Sequence, residues 1–228
     1  MQYRRTAVVR SKMNRLASAI SNAYSSDSKL RATWLLACRA ASKVRDWTWS
    51  EILDAPKIHI GAGSVIRGSK YMSFGKGVFV HGHLWLEAVS SYAGDRYTPK
   101  IEIGDFVSLS SGVHISSIEH IVIRKNTLVG SGVYISDHNH GAYKGANQSR
   151  PDVPPSRRHL DGGPVSIGEN VWIGDNVVIV GPVTIGDGAV IGANSVIKTD
   201  VLSETIVAGI PAVPIKRFNH LLNIWERV

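Results

Sequence analysis

Six isoleucines, Ile167, Ile173, Ile179, Ile185, Ile191 and Ile197, fall six residues apart without a break. Val165, Val171, Val177 and Val183 repeat at the same step, two positions earlier. Gly168, Gly174, Gly186 and Gly192 follow four of the isoleucines. A helix buries residues three and four apart, a spacing this region lacks. Side chains two apart share one face of a strand. A period of six with apolar residues at i and i−2 therefore describes a short strand followed by a tight turn, with the small residue as the expected turning point. Three such units close a triangular coil, and stacked coils bury one continuous apolar column.

The same register runs upstream through Ile60 and Ile66, then Phe74, Val80 and Leu86, then Ile103, Leu109 and Ile115, then Ile123, Val129 and Ile135. The step is six inside each set and longer between sets. Two gaps are large, and they predict insertions at about 87–100 and 137–164. The second contains Gly141, Gly145, Pro151, Pro154, Pro155, Gly162 and Gly163, which reads as loop and not strand. A loop that long within a compact repeat is usually functional.

The sequence thus divides into a helical segment over 1–55, a repeat domain over 56–211 and a tail over 212–228. Ser28 is placed to cap a helix running through Ala41 or beyond, with Trp34, Leu35 and Cys38 on one side. Phe218 to Trp225 also has helical spacing and is expected to form a short C-terminal helix over the open end of the column.

Charge separates the same regions. Residues 1–50 hold ten of the 26 Lys and Arg, against only Asp27 and Asp46 of the 18 acids, so the net charge of +8 lies there. The remainder is balanced. A nucleic-acid-binding body would carry its basic stripe on the folded core, so no nucleic acid is expected. The basic segment reads either as a solvated helix face or as a contact with a partner or membrane surface. No apolar run approaches a bilayer crossing, and no secretory signal is evident at Met1. The single cysteine, Cys38, excludes an internal disulfide and points to a reducing, cytoplasmic compartment.

The run NVWIGDNVVIVGPVTIGDGAVIGANSVI and the terminal AGIPA resemble the hexapeptide-repeat acyltransferases, closest among them to sugar and polysaccharide O-acetyltransferases. The resemblance covers roughly two thirds of the chain, about Ile58 to Pro211. It implies a mainly β chain, a left-handed parallel β-helix, assembled as a homotrimer with active sites between subunits. It further implies acetyl-CoA as co-substrate and a sugar or glycan hydroxyl as acceptor, in the synthesis of surface polysaccharide.

By the same resemblance, the histidine at the root of the long loop is the general base, which here is His138. His140, two residues on, is a helper that holds substrate or orients His138. Asp137 is a candidate for orienting an imidazole or meeting substrate, or is a turn-forming residue. Neighbours in an extended chain point to opposite sides, which argues against its touching His138. Tyr92 and Arg96, in the first insertion, are candidates to stack on and hydrogen-bond a sugar. The donor would run past Trp172, Gly192, Ala193 and Ser195, with Lys198, Lys216 and Arg217 near its phosphates. Two departures stand out. Lys198-Thr199 reverses the family's Thr-Lys order, and Val213 replaces a basic residue after the terminal Gly-x-Pro-x.

Three other readings stay open. The acceptor is serine, an amino sugar or a xenobiotic. The coil is a zinc-dependent hydratase of the gamma carbonic anhydrase type, although His114 and His120, or His138 and His140, lack that family's ligand spacing and no metal is expected. Or the coil has lost catalysis and serves assembly.

Overall fold

The computed structural model describes residues 29–228. The chain divides into two units, residues 1–45 and 46–228. Helix α1, Lys29–Leu53, provides the described part of the first unit and opens the second. The expected helix is present and runs past Ala41, while its proposed cap at Ser28 lies outside the described residues. Trp34, Leu35 and Cys38 are all exposed. In the second unit Leu53 is buried, Trp49 packs against the core, and His59 Nδ1 lies 2.9 Å from Asp46 Oδ2.

Residues 59–209 form a three-sided parallel β-helix. Each side is one sheet, and each set of aliphatic residues places one member on each sheet. On the first sheet Ile60, Val80, Leu109, Val129, Ile173 and Ile191 stack in register. On the second, Ile66, Leu86, Ile115, Ile135, Ile179 and Ile197 do so. On the third, Phe74, Ile103, Ile123, Ile167 and Ile185 do so. All but Ile66 in these columns are buried, and the valines two positions before them close the column from the corners.

The corners are built differently from the expectation. None of Gly168, Gly174, Gly186 and Gly192 has a positive φ. The left-handed position falls two residues later, at Asn170, Asn176, Gly188 and Asn194, with φ between 55 and 65°. Asparagine accepts this conformation more readily than other side-chain-bearing residues. The glycines answer a steric demand instead. A Cβ on Gly174 would stand 2.6 Å from the backbone nitrogen of Ala193 on the next coil. Corner carboxylates tie neighbouring coils: Asp175 Oδ1 accepts the Ser131 N–H at 2.7 Å, and Asp187 Oδ1 the Glu169 N–H at 2.7 Å.

The tail is not a helix. Ala212–Asn219 runs antiparallel to Thr205–Gly209, the last strand of the first sheet, and then pairs with Ile224–Arg227. Asn219 Oδ1 accepts the N–H groups of Leu221 and Leu222, which shapes the turn between them. The free edge of the last coil offers unpaired backbone donors and acceptors, and strand pairing there outcompetes the helical spacing. Leu221, an apolar residue of that spacing, is 96% exposed in the turn.

The inward column is expected to carry the stability of the coil. Ile135 is fully buried at its centre, and Ile135→Ala should cost about 2–5 kcal/mol. Urea unfolding followed by circular dichroism measures this; a loss below about 1 kcal/mol would contradict a close-packed column.

Candidate active site

Both insertions lie over the second sheet, and both contain hairpins. In the first, Ser91–Tyr92 pairs with Asp95–Arg96 across a turn at Ala93-Gly94. In the second, where only loop was expected, His138–His140 pairs antiparallel with Leu160–Gly162. Separate strand ends meet because the intervening residues return the chain, which a local pattern does not encode. The hairpins brace one another. Leu160 N–H donates to the Tyr97 hydroxyl at 2.8 Å, and Tyr92 meets His140 edge to face at 5.2 Å.

Asp137 sits where the chain leaves the coil strand Tyr134–Ser136 and enters the hairpin. The bend interrupts strand alternation, so Asp137 and His138 are not on opposite sides. Asp137 Oδ1 accepts from His138 Nδ1 at 2.9 Å and from Ile118 N–H at 2.8 Å. Its Oδ2 accepts from the Ser117 hydroxyl at 2.6 Å and from Glu119 N–H at 2.9 Å. The carboxylate is fully buried. Its oxygens are turned to protein donors, the His138 imidazole among them. Burial pushes its pKa up, but the bonds from His138, Ser117, Ile118 and Glu119 outweigh this and leave it below the usual value.

This arrangement determines the tautomer of His138. An ionised carboxylate only accepts, so Nδ1 carries the proton. The Nε2 lone pair has no hydrogen-bond partner among the described residues. The His138 side chain is only 8% exposed, and the residue lines a cavity of about 290 Å³. Ser136 Oγ accepts the His138 N–H and donates to its carbonyl, fixing the backbone beneath the ring. Gly162 is required opposite: a Cβ there would clash with the Asp137 carbonyl and stand 2.6 Å from His138 Cα.

The other predicted residues fall in two groups. His140 and Tyr92 line the same cavity as His138. His140 is exposed, and no hydrogen bond joins it to His138 among the described residues; the carboxylate that meets the His138 ring is that of Asp137. Arg96 is exposed and outside the cavity lining. Trp85, Glu87, His114, Ser116 and Tyr134 also line the cavity and are not among the residues the sequence pointed to as a site. They sit at outward positions of the second sheet, and only knowing which side the insertions cover identifies them.

The predicted donor residues lie elsewhere in the chain. Trp172 is 56% exposed on the first sheet, in one outward row with Phe79 and Leu128. Gly192 and Ala193 stand at the corner between the first and second sheets. Ser195 is buried, its hydroxyl accepting the Gly209 N–H at 3.1 Å. Lys198 is exposed, Lys216 is half-buried, and Arg217 lines a second cavity at the end of the coil, of about 260 Å³. Among the described residues no group of three or more His, Cys, Asp or Glu converges to hold a metal ion, and no helix is long and apolar enough to cross a membrane.

Residues 164–199 match the bacterial transferase hexapeptide family of six repeats. The match lies within the last coils of the β-helix. An N-acyltransferase, AntD from Bacillus cereus, solved as a point mutant with dTDP and coenzyme A, has the same fold. It superposes with a TM-score of 0.58 at 19% identity, covering 74% of this chain and 85% of AntD. A putative lipopolysaccharide biosynthesis O-acetyl transferase of Escherichia coli K12, WbbJ, is 43% identical over 128 residues. That match takes in 56% of this chain and 65% of WbbJ, a little under two thirds of the relative's length.

Replacing the buried carboxylate should be costly. Asp137→Asn leaves donors facing donors and is expected to destabilise the protein by about 3–5 kcal/mol at pH 7. Because the folded pKa is lowered, the stabilisation is complete above the ordinary aspartate value of about 3.9 and is lost as pH falls through the folded value. Urea unfolding from pH 7 down to pH 3 should therefore show the gap between wild type and Asp137→Asn narrowing only in acid; a constant gap would contradict an ionised Asp137.

Proposed function

We propose that the protein transfers an acetyl group from acetyl-CoA to a hydroxyl of a sugar, with His138 as general base. The observation that carries this reading is the buried Asp137–His138 pair, whose Nε2, without a partner among the described residues, belongs to a ring lining a cavity on the coil. The 43% identity to the putative lipopolysaccharide O-acetyl transferase supports the acetyl donor, the oxygen acceptor and a role in surface polysaccharide synthesis.

The chemistry suits the residue. A sugar hydroxyl is a poor nucleophile until its proton is removed. The Nε2 lone pair takes that proton as the oxygen attacks the thioester carbonyl. The imidazolium formed is stabilised by Asp137 and returns the proton to the departing thiolate sulfur. An ester and a free thiol result, and the base is regenerated. No covalent enzyme intermediate is needed, since the thioester is already activated.

The donor lies between copies in this reading. The outward row Phe79, Leu128 and Trp172 exposes apolar surface on the first sheet, which suits a face covered by a neighbouring subunit of a trimer. Trp172, Gly192 and Ala193 then border the pantetheine arm. Ser195, its hydroxyl already engaged, acts there through the corner backbone it holds. Lys198, Lys216 and Arg217 serve the phosphates. The enzyme works in the cytoplasm, and the basic residues 1–50 hold it at anionic membrane where a lipid-linked glycan is presented.

Two measurements check this. His138→Ala should lower kcat by about 10²–10⁴-fold with donor affinity nearly intact, whereas His140→Ala should act mainly on acceptor KM. Loss of turnover in His140→Ala alone would overturn the assignment. Full-length protein should sediment with phosphatidylglycerol vesicles at low salt and the chain lacking residues 1–50 should not; sedimentation of both would refute the membrane role.

A further inference from the structure

His114 differs from four other histidines in its surroundings. His59, His120, His138 and His220 each lie against a carboxylate, from Asp46, Glu102, Asp137 and Glu204 respectively. His114 has no acidic partner within ion-pair distance, and neither ring nitrogen makes a hydrogen bond among the described residues. Yet its position is closely defined. It stands in the outward row of the second sheet, paired with Trp85 on one coil and Tyr134 on the next. Its ring centroid is 5.7 Å from that of Trp85 and 5.1 Å from that of Tyr134. It lines the same cavity as His138.

The ring is half-buried, and its surroundings favour the neutral form. Burial lowers its pKa, Glu87 opposes this, and the charge carried by protonated His138 lowers it again. Those two residues are the titratable groups that act on it. A neutral imidazole has one donor and one acceptor. With no partner to select the tautomer, either nitrogen can take either role. Such a group matches a hydroxyl, which also donates and accepts. It is poorly equipped to act as a base, because no carboxylate lies within ion-pair distance to hold its charged form, and the more distant Glu87 does not offset burial.

The rest of the wall agrees. Trp85, Tyr134 and Tyr92 supply aromatic surface, and no Lys or Arg is among the residues lining the cavity. The carboxylate on that wall, Glu87, is already engaged by Trp85 Nε1–H at 3.1 Å, with Arg67 3.7 Å away. An anionic group would enter without a counter-charge. The part of the acceptor that enters is therefore an uncharged ring.

We infer that His114 is an acceptor-positioning residue that hydrogen-bonds a second hydroxyl, beside the one His138 deprotonates, so that the acceptor is an uncharged sugar bearing a vicinal diol. This rests on the reading of the cavity as the acceptor site of an O-acetyltransferase. The two histidines divide the work. His138, locked by Asp137, removes the proton, and His114, free at both nitrogens, sets which hydroxyl is presented.

The test uses full-length protein, acetyl-CoA and a panel of methyl glycosides of glucose, galactose, mannose and rhamnose, each with its monodeoxy analogues. For the glycoside that wild type acetylates best, His114→Ala should raise acceptor KM about 10-fold or more, the worth of one hydrogen bond left unmade. Its kcat should fall far less than in His138→Ala. His114→Gln, which keeps a donor and an acceptor, should recover part of the loss. Removing the neighbouring hydroxyl from the acceptor should penalise wild type but add nothing in His114→Ala. If kcat falls with KM unchanged, or if the deoxy acceptor is penalised equally in both proteins, the inference is wrong while the site stands. If wild type acetylates no glycoside, the acceptor-site reading fails, and the role of His114 fails with it.

Discussion

Every feature of this molecule depends on the stacking of inward aliphatic side chains, one coil upon the next. Ile115, Ile135 and Ile179 occupy equivalent positions on successive coils of the second sheet, each fully buried. A slip of one residue would turn a whole row outward, so the column fixes strand register throughout. Because Ile135 is held in this way, Ser136 and Asp137 leave the coil at a defined point. The position of His138 follows from that of Ile135, only three residues away.

The site adds a polar device to this apolar frame. An ionised carboxylate without exposure is tolerated only where its oxygens are fully engaged. Asp137 meets that condition with four donors, two of them backbone N–H groups from the adjoining coil. Those backbone groups come from the corner between the second and third sheets, so the coil itself builds the socket. His138 then requires no further support, and the hairpin that follows shields it from solvent while leaving one edge on the cavity. The cost of burying the charge is met by structure that the repeat already supplies.

What could be read in advance follows the range of the interactions involved. The β-helix was legible because its period repeats many times, and each aliphatic residue from Phe74 to Ile197 that the spacing assigned to a face lies on that face. The glycines after the isoleucines were recognised but explained by the wrong cause, since their φ values are ordinary and inter-coil contact is what excludes a side chain. The C-terminal tail misled because its apolar spacing suits a helix, whereas an open sheet edge offers backbone partners only visible once the coil is built. His138, His140 and Tyr92, candidates from the sequence, line one cavity. The contact between Asp137 and His138 ran against strand alternation, because a bend, invisible in the residue pattern, brings adjacent side chains together.

The sequence by itself determined the coil, its register and the places where the chain departs from it, because these depend on local spacing and on the burial of like residues at a fixed period. The tertiary structure alone decided which side of the coil becomes the site. It set the two hairpins over the second sheet, joined Asp137 to donors nearly twenty residues away in sequence, and turned His114, Trp85 and Tyr134 from repeat positions into a wall. Those contacts arise from stacking between coils and pairing between distant strand ends, and no stretch of sequence contains both partners.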